Sequence, residues 1–114
     1  MLTKKKIEEK AGSLDWKTTW TDQSKRHKAV EFQSCTTFGQ DITINIDYEK
    51  LSEIEGEVYR KYTDFDVSEE TSLWIGSDGH GKNGAPYEIE DIVKDMKEAE
   101  NMILELSEGI GEIT

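Results

Sequence analysis

The densest run of residues able to do chemistry is Gly76-Ser77-Asp78-Gly79-His80-Gly81-Lys82-Asn83-Gly84-Ala85-Pro86. Gly79, Gly81 and Gly84 satisfy the three-glycine dinucleotide pattern, and Gly76 through Lys82 begins like a phosphate-binding loop. Asn83, however, stands where a Ser or Thr hydroxyl should ligate magnesium. Both motifs also need a parallel strand before them, a helix opening directly from the glycines, and further strands after. Here the helical pattern resumes several residues late and too little chain remains, so neither nucleotide fold fits. The glycines still permit positive φ and close backbone approach, while Asp78, His80, Lys82 and Asn83 supply hydrogen-bonding groups of every type. A binding loop has this composition, and so has a long polar turn. A small enzyme built on Gly79–Gly84 is one alternative it leaves open.

Other reactive groups are sparser. His27 and His80 are far apart in sequence and read as solvated surface residues. Asp64-Phe65-Asp66-Val67-Ser68-Glu69-Glu70 opens like a calcium loop, but Glu69 replaces the required Gly and Ile75 the bidentate Glu. No metal site and no cofactor are expected. Cys35 falls on the strand face opposite Phe32 and Phe38, has no nearby His in sequence, and reads as a structural thiol.

Carboxylates are the abundant resource. Beyond Pro86, Glu88, Asp91, Asp95, Glu98 and Glu105 are read as the helix face opposite an apolar stripe, with only Lys94 and Lys97 to offset them. Neighbours at i, i+3 or i+4 stand about 5–6 Å apart, where like charges destabilise an isolated helix by a few tenths of a kcal/mol. Upstream, Glu49, Glu53, Glu57, Asp64, Asp66, Glu69 and Glu70 add to the field. A solvated helix face explains such a pattern; so does a surface that uses its charge.

The charge is also unevenly distributed. The 114-residue chain has a net charge of −11. Residues 1–40 carry eight Lys/Arg against five Asp/Glu, whereas residues 41–114 carry six against twenty. Nucleic-acid binding works by exchanging condensed cations for Lys and Arg, so this surface repels DNA and RNA. The same field attracts basic proteins. One cysteine excludes an internal disulfide and a cysteine zinc cluster. No apolar run approaches the roughly 18 residues of a membrane span, and the N-terminus lacks the apolar stretch of a signal peptide. Cytoplasmic residence is expected.

The elements that must position these groups follow from periodicity. An apolar fraction of 34% is low beside the ~45–50% usual for globular chains, but its residues fall in periodic runs. Residues 1–13 hold too few of them to anchor a helix, even with Thr3 as a cap, and read as a loosely ordered arm. Residues 14–114 read as a single α+β domain. Alternation predicts strands over 14–21, about 30–38 and about 42–48, with Gly39-Gln40-Asp41 as a hairpin connection. Leu51, Ile54, Val58, Tyr62 and Phe65 predict a helix capped by Asp47, and Ile89, Ile92, Val93, Met96, Ala99, Ile103 and Leu106 a second, ended by Gly109. The segment 69–75 fits helix or strand. The expected fold is a three-stranded antiparallel meander packed against two main helices. Trp16, Trp20, Phe32, Ile44, Ile46, Leu51, Ile54, Val58, Ile92, Met96 and Ile103 should form much of its core.

Phe65 through Thr71, Asp78 through Tyr87 and Ile92 through Glu100 together resemble small acidic accessory proteins of phages and conjugative elements. The resemblance covers about a third of the chain and identifies a loop-then-helix pattern. It implies a context in which small acidic proteins block restriction enzymes or CRISPR nucleases, often by imitating DNA. The expectation is a non-enzymatic inhibitor that binds a basic protein surface through Asp66, Glu69, Glu70, Asp78, His80, Lys82, Asn83, Glu88, Asp91, Asp95 and Glu98. Asp91, Asp95 and Glu98 would stand in for phosphates. An immunity- or antitoxin-like protein neutralising one cognate partner is the other alternative.

Overall fold

The structure, a computed structural model, describes residues 1–24, 27–37, 39–75 and 89–114. The alternating segments form β1 (Lys17–Ser24), β2 (His27–Cys35) and β3 (Asp41–Tyr48), an antiparallel sheet in the order β1-β2-β3. Register pairs Trp20 with Val30 and Val30 with Ile46, and likewise Thr18 with Phe32 and Phe32 with Ile44. These residues share the face turned to the helices. The other face carries Thr19, Thr21, Gln33, Thr43 and Asn45, all exposed. One apolar and one solvated face is the arrangement an antiparallel meander permits.

Helices cover the apolar face: α1 (Lys4–Ser13), α2 (Ile54–Asp64), α3 (Val67–Ile75) and α4 (Ile89–Ile113). The two main helices of the sequence reading are α2 and α4. Their stripes, Ile54 and Val58 with Ile103, Leu106 and Ile110, close over Phe32, Val30, Ile44 and Ile46 in one cluster. Complete burial of a side chain such as Phe32 or Ile54 is worth about 1.5–3 kcal/mol. Most of the expected core is buried; Trp20 and Leu51 pack at its margin. The segment 69–75 is helical, within α3.

Three local expectations differ from what the chain adopts. First, the N-terminal arm is a docked helix. Ile7 and Ala11 are fully buried, and Lys4 and Glu8 on one turn grip the Trp20 indole, Lys4 Nζ 5.2 Å from the ring centroid and Glu8 accepting from Trp20 Nε1. Two apolar residues suffice because polar contacts hold the rest. The helix closes with Asp15 in the left-handed region (φ 68°) while Trp16 N donates to Ala11 O. That closure occupies residues 14–16, so β1 starts at Lys17.

Second, Asp47 caps nothing; it is paired with Ala29 in the sheet. The helical region opens instead with a 3₁₀ turn at Leu51–Glu53, whose Glu53 carboxylate accepts from the backbone of Glu49 and Lys50. Those hydrogen bonds hold the Glu53 carboxyl below the ordinary range. Third, α4 runs through Gly109 rather than stopping there. A Cβ at Gly109 would lie 2.8 Å from Leu14 Cδ1, and one at Gly111 2.8 Å from Glu55 Oε1. Gly109 leaves room for Leu14 and Lys10 against α4, and a sequence alone presents it as a stop signal.

Candidate functional site

Of the residues singled out above, Asp78, His80, Lys82, Asn83 and Glu88 lie outside the described residues, as does the Gly79–Gly84 loop. The remaining six fall into two groups, one on α4 and one at the N-terminus of α3.

The α4 group turns inward. Asp95 is 1% exposed. Its Oδ2 accepts from Thr36 Oγ1 at 2.9 Å, and the same hydroxyl accepts from Gln40 N at 3.1 Å. Glu98 is half-buried and accepts from Thr37 Oγ1 at 2.8 Å and Thr37 N at 3.2 Å. Together they fasten the β2–β3 turn, in which Gly39 takes φ 84°. Asp91 is half-buried. The expected row of Asp91, Asp95 and Glu98 standing in for phosphates is therefore corrected: Asp95 is not on the surface and Glu98 is already engaged. Asp95 is i+3 from Ile92 and i−4 from Ala99, so it belongs to the apolar stripe and not to the face opposite it. That spacing is legible in the sequence and is the mark of a buried, partnered acid.

The α3 group is exposed at Asp66 and Glu69 and half-buried at Glu70. Asp66 caps the helix, its Oδ1 accepting from Ser68 N at 2.9 Å and Glu69 N at 3.1 Å. The Glu70 carboxyl is pushed above its ordinary range by burial first, then by the charges of Glu69 and Asp66. Three carboxylates are thus held within electrostatic reach of one another at the α2–α3 corner. Their seat at a helix N-terminus, where the dipole favours negative charge, also gives them a structural reason to be there.

Beside this corner runs a groove that no sequence pattern announced. It measures about 380 Å³ and is lined by Gln40 through Asn45 of β3 and its preceding turn, by Lys61, Phe65 and Glu70, and by Met96, Ala99 and Ile103 of α4. Its formation depends on where α3 and α4 sit against the sheet edge, which is a tertiary property. The turn held by Asp95 and Glu98 fixes one end of it.

Among the described residues no group of three or more His, Cys, Asp or Glu is placed to hold a metal ion. Cys35 is exposed. No helix among the described residues is long and apolar enough to cross a membrane. Comparison with family models, curated proteins and solved structures finds no match.

Proposed function

We propose that this chain is a non-enzymatic acidic interaction protein that inhibits a nucleic-acid-binding enzyme, such as a CRISPR nuclease or a restriction enzyme, by offering its cationic channel a substitute for DNA. The observation that carries the reading is the α2–α3 corner, where Asp66 caps the helix that Glu69 and Glu70 open, and where the Glu70 carboxyl is raised by burial first and then by the charges of Glu69 and Asp66. It lies in the portion of the chain, residues 41–114, with twenty acidic residues against six basic ones. A field of that sign steers basic surfaces toward it. The resemblance to acidic accessory proteins of mobile elements accords with the same reading. Asp66, Glu69 and Glu70 would stand in for phosphates, since Asp95 is buried and Glu98 is engaged by Thr37.

The test is inhibition of DNA cleavage by a set of CRISPR nucleases and restriction enzymes, with duplex DNA as competitor and salt varied. An inhibitor of this kind competes with DNA and weakens steeply as salt rises. The triple substitution Asp66→Asn, Glu69→Gln, Glu70→Gln, which retains a capping side chain, should abolish inhibition while the far-ultraviolet spectrum stays unchanged. Undiminished inhibition by that variant, or no effect on any nuclease at saturating protein, contradicts the proposal.

The groove favours a second reading, an immunity- or antitoxin-like protein specific for one partner, because a cleft lined by both apolar and polar side chains recognises shape as well as charge. Binding that ignores competing DNA and varies little with salt would select it.

A further inference from the structure

The two edges of the sheet are built differently. β1 is irregular, its register shifting between Asp22 and Ser24, and it opens with Lys17. Bulges and lysines are the ordinary means of blunting a strand edge. β3 has neither. It pairs with β2 without a register shift from Asp41 to Tyr48, contains no Pro, Lys or Arg, and has no further strand beside it among the described residues. Six consecutive residues, Gln40–Asn45, line the groove. Both faces of the alternation contribute, as happens where a strand presents its edge. The groove's floor is apolar, from Phe65, Met96, Ala99 and Ile103.

We infer that the β3 edge is a strand-addition site for an extended, cationic segment of a partner protein, alternating basic with β-branched residues. A strand laid along β3 gains main-chain hydrogen bonds from the edge and side-chain selectivity from its surroundings. Its side chains alternate between two environments. One set enters the groove beside Ile42 and Ile44 and suits valine or isoleucine. The other set lies on the solvated face beside Asp41, Thr43, Asn45 and Asp47, all exposed, and suits lysine or arginine. Charge chooses this occupant over a second copy of the chain. Antiparallel β3–β3 pairing centred on Ile44 sets Asp41 opposite the other copy's Asp47 at both ends, and like charges directly opposite are destabilising. It would also bring together two molecules of net charge −11. Lys61 is the groove's one basic lining residue, against Asp41 and Glu70. The inference rests on the reading of a basic partner given above and specifies how part of that partner is held.

The probe is a capped synthetic peptide of about seven residues, alternating lysine and valine, long enough to span the edge at about 3.4 Å per residue. It is compared with a glutamate-for-lysine counterpart and with a version N-methylated at alternate nitrogens. Binding is followed by fluorescence anisotropy, and the site is located by amide NMR of the whole chain. The lysine peptide should bind and shift the amides of Ile42–Asn45, and the N-methylated and glutamate peptides should not bind. The double substitution Asp41→Lys, Asp47→Lys should weaken the lysine peptide about tenfold or more and admit the glutamate peptide. The peptide comparison uses the unaltered protein and stands even where that variant fails to fold. Equal binding of the N-methylated peptide, shifts away from β3, no binding at millimolar peptide, or dimerisation through β3 each overturns the inference. Loss of this site with nuclease inhibition intact leaves the acidic corner standing; inhibition lost while the peptide still binds does the reverse.

Discussion

Two sets of carboxylates on neighbouring helices show how little residue type alone decides. On α4, Asp95 and Glu98 face inward and hold the β2–β3 turn through Thr36 and Thr37. At the start of α3, Asp66, Glu69 and Glu70 crowd one corner, with Glu69 exposed. The first set holds the turn, and the second caps α3 through Asp66 while leaving Glu69 exposed. The difference lies in register. Asp95 falls on the stripe of Ile92, Met96 and Ala99 and is drawn in with it, where burial requires a hydrogen-bonding partner. Glu69 falls off the apolar side of a short helix and stays in water.

The contrast can be broken most severely at Asp95. Asp95→Ala removes a buried acceptor and leaves the Thr36 hydroxyl without it, so the variant should lose on the order of 2 kcal/mol in urea denaturation. A loss below a few tenths would mean the α4 carboxylates do not hold the turn. Next comes Asp66→Ala, which deletes the α3 cap and should lower stability by about 1 kcal/mol; Asp66→Asn should leave it nearly unchanged. Glu98→Ala should cost about 0.5–1 kcal/mol, since its Thr37 contacts are partly exposed, and should increase hydrogen exchange at Thr37.

The smallest expected effect concerns Glu70 and carries a definite sign. Its carboxyl is raised in the folded state, so the folded chain binds that proton more tightly than the unfolded one. Its favourable contribution is complete below the unfolded-state value and is lost as pH rises through the folded value. Glu70→Gln should therefore raise Tm slightly near neutral pH, and the gain should fade as the solution is acidified through the carboxylate range. Glu53 runs the opposite way. Its lowered carboxyl contributes above the unfolded value and loses that contribution as pH falls through the folded one. A gain for Glu70→Gln that persists in acid would contradict the raised Glu70 carboxyl.

Much of the fold was legible because alternation and helical spacing are local. The strands built around Trp20, Phe32 and Ile46, and the helices built on Ile54 and Ile103, follow directly from period. What was not legible depended on tertiary neighbours. Gly109 reads as a helix stop until Leu14 is seen packed against it. The N-terminal residues look too polar to dock until Trp20 is found between Lys4 and Glu8. Within the site, the outward position of Glu69 could be anticipated. The inward one of Asp95 could have been, had its spacing from Ile92 and Ala99 outweighed its charge. The groove along β3 could not, because its walls come from three parts of the chain that meet only on folding.

Side-by-side inhibition assays test the central claim most directly. A DNA-cleaving enzyme that the unaltered chain inhibits is challenged with equal amounts of folded Asp66→Asn/Glu69→Gln/Glu70→Gln and folded Asp95→Asn protein. The α3 triple variant should lose inhibition and its salt dependence, while Asp95→Asn, though less stable, should inhibit as the unaltered chain does. Inhibition that survives neutralisation of α3 but disappears with Asp95→Asn would contradict the account.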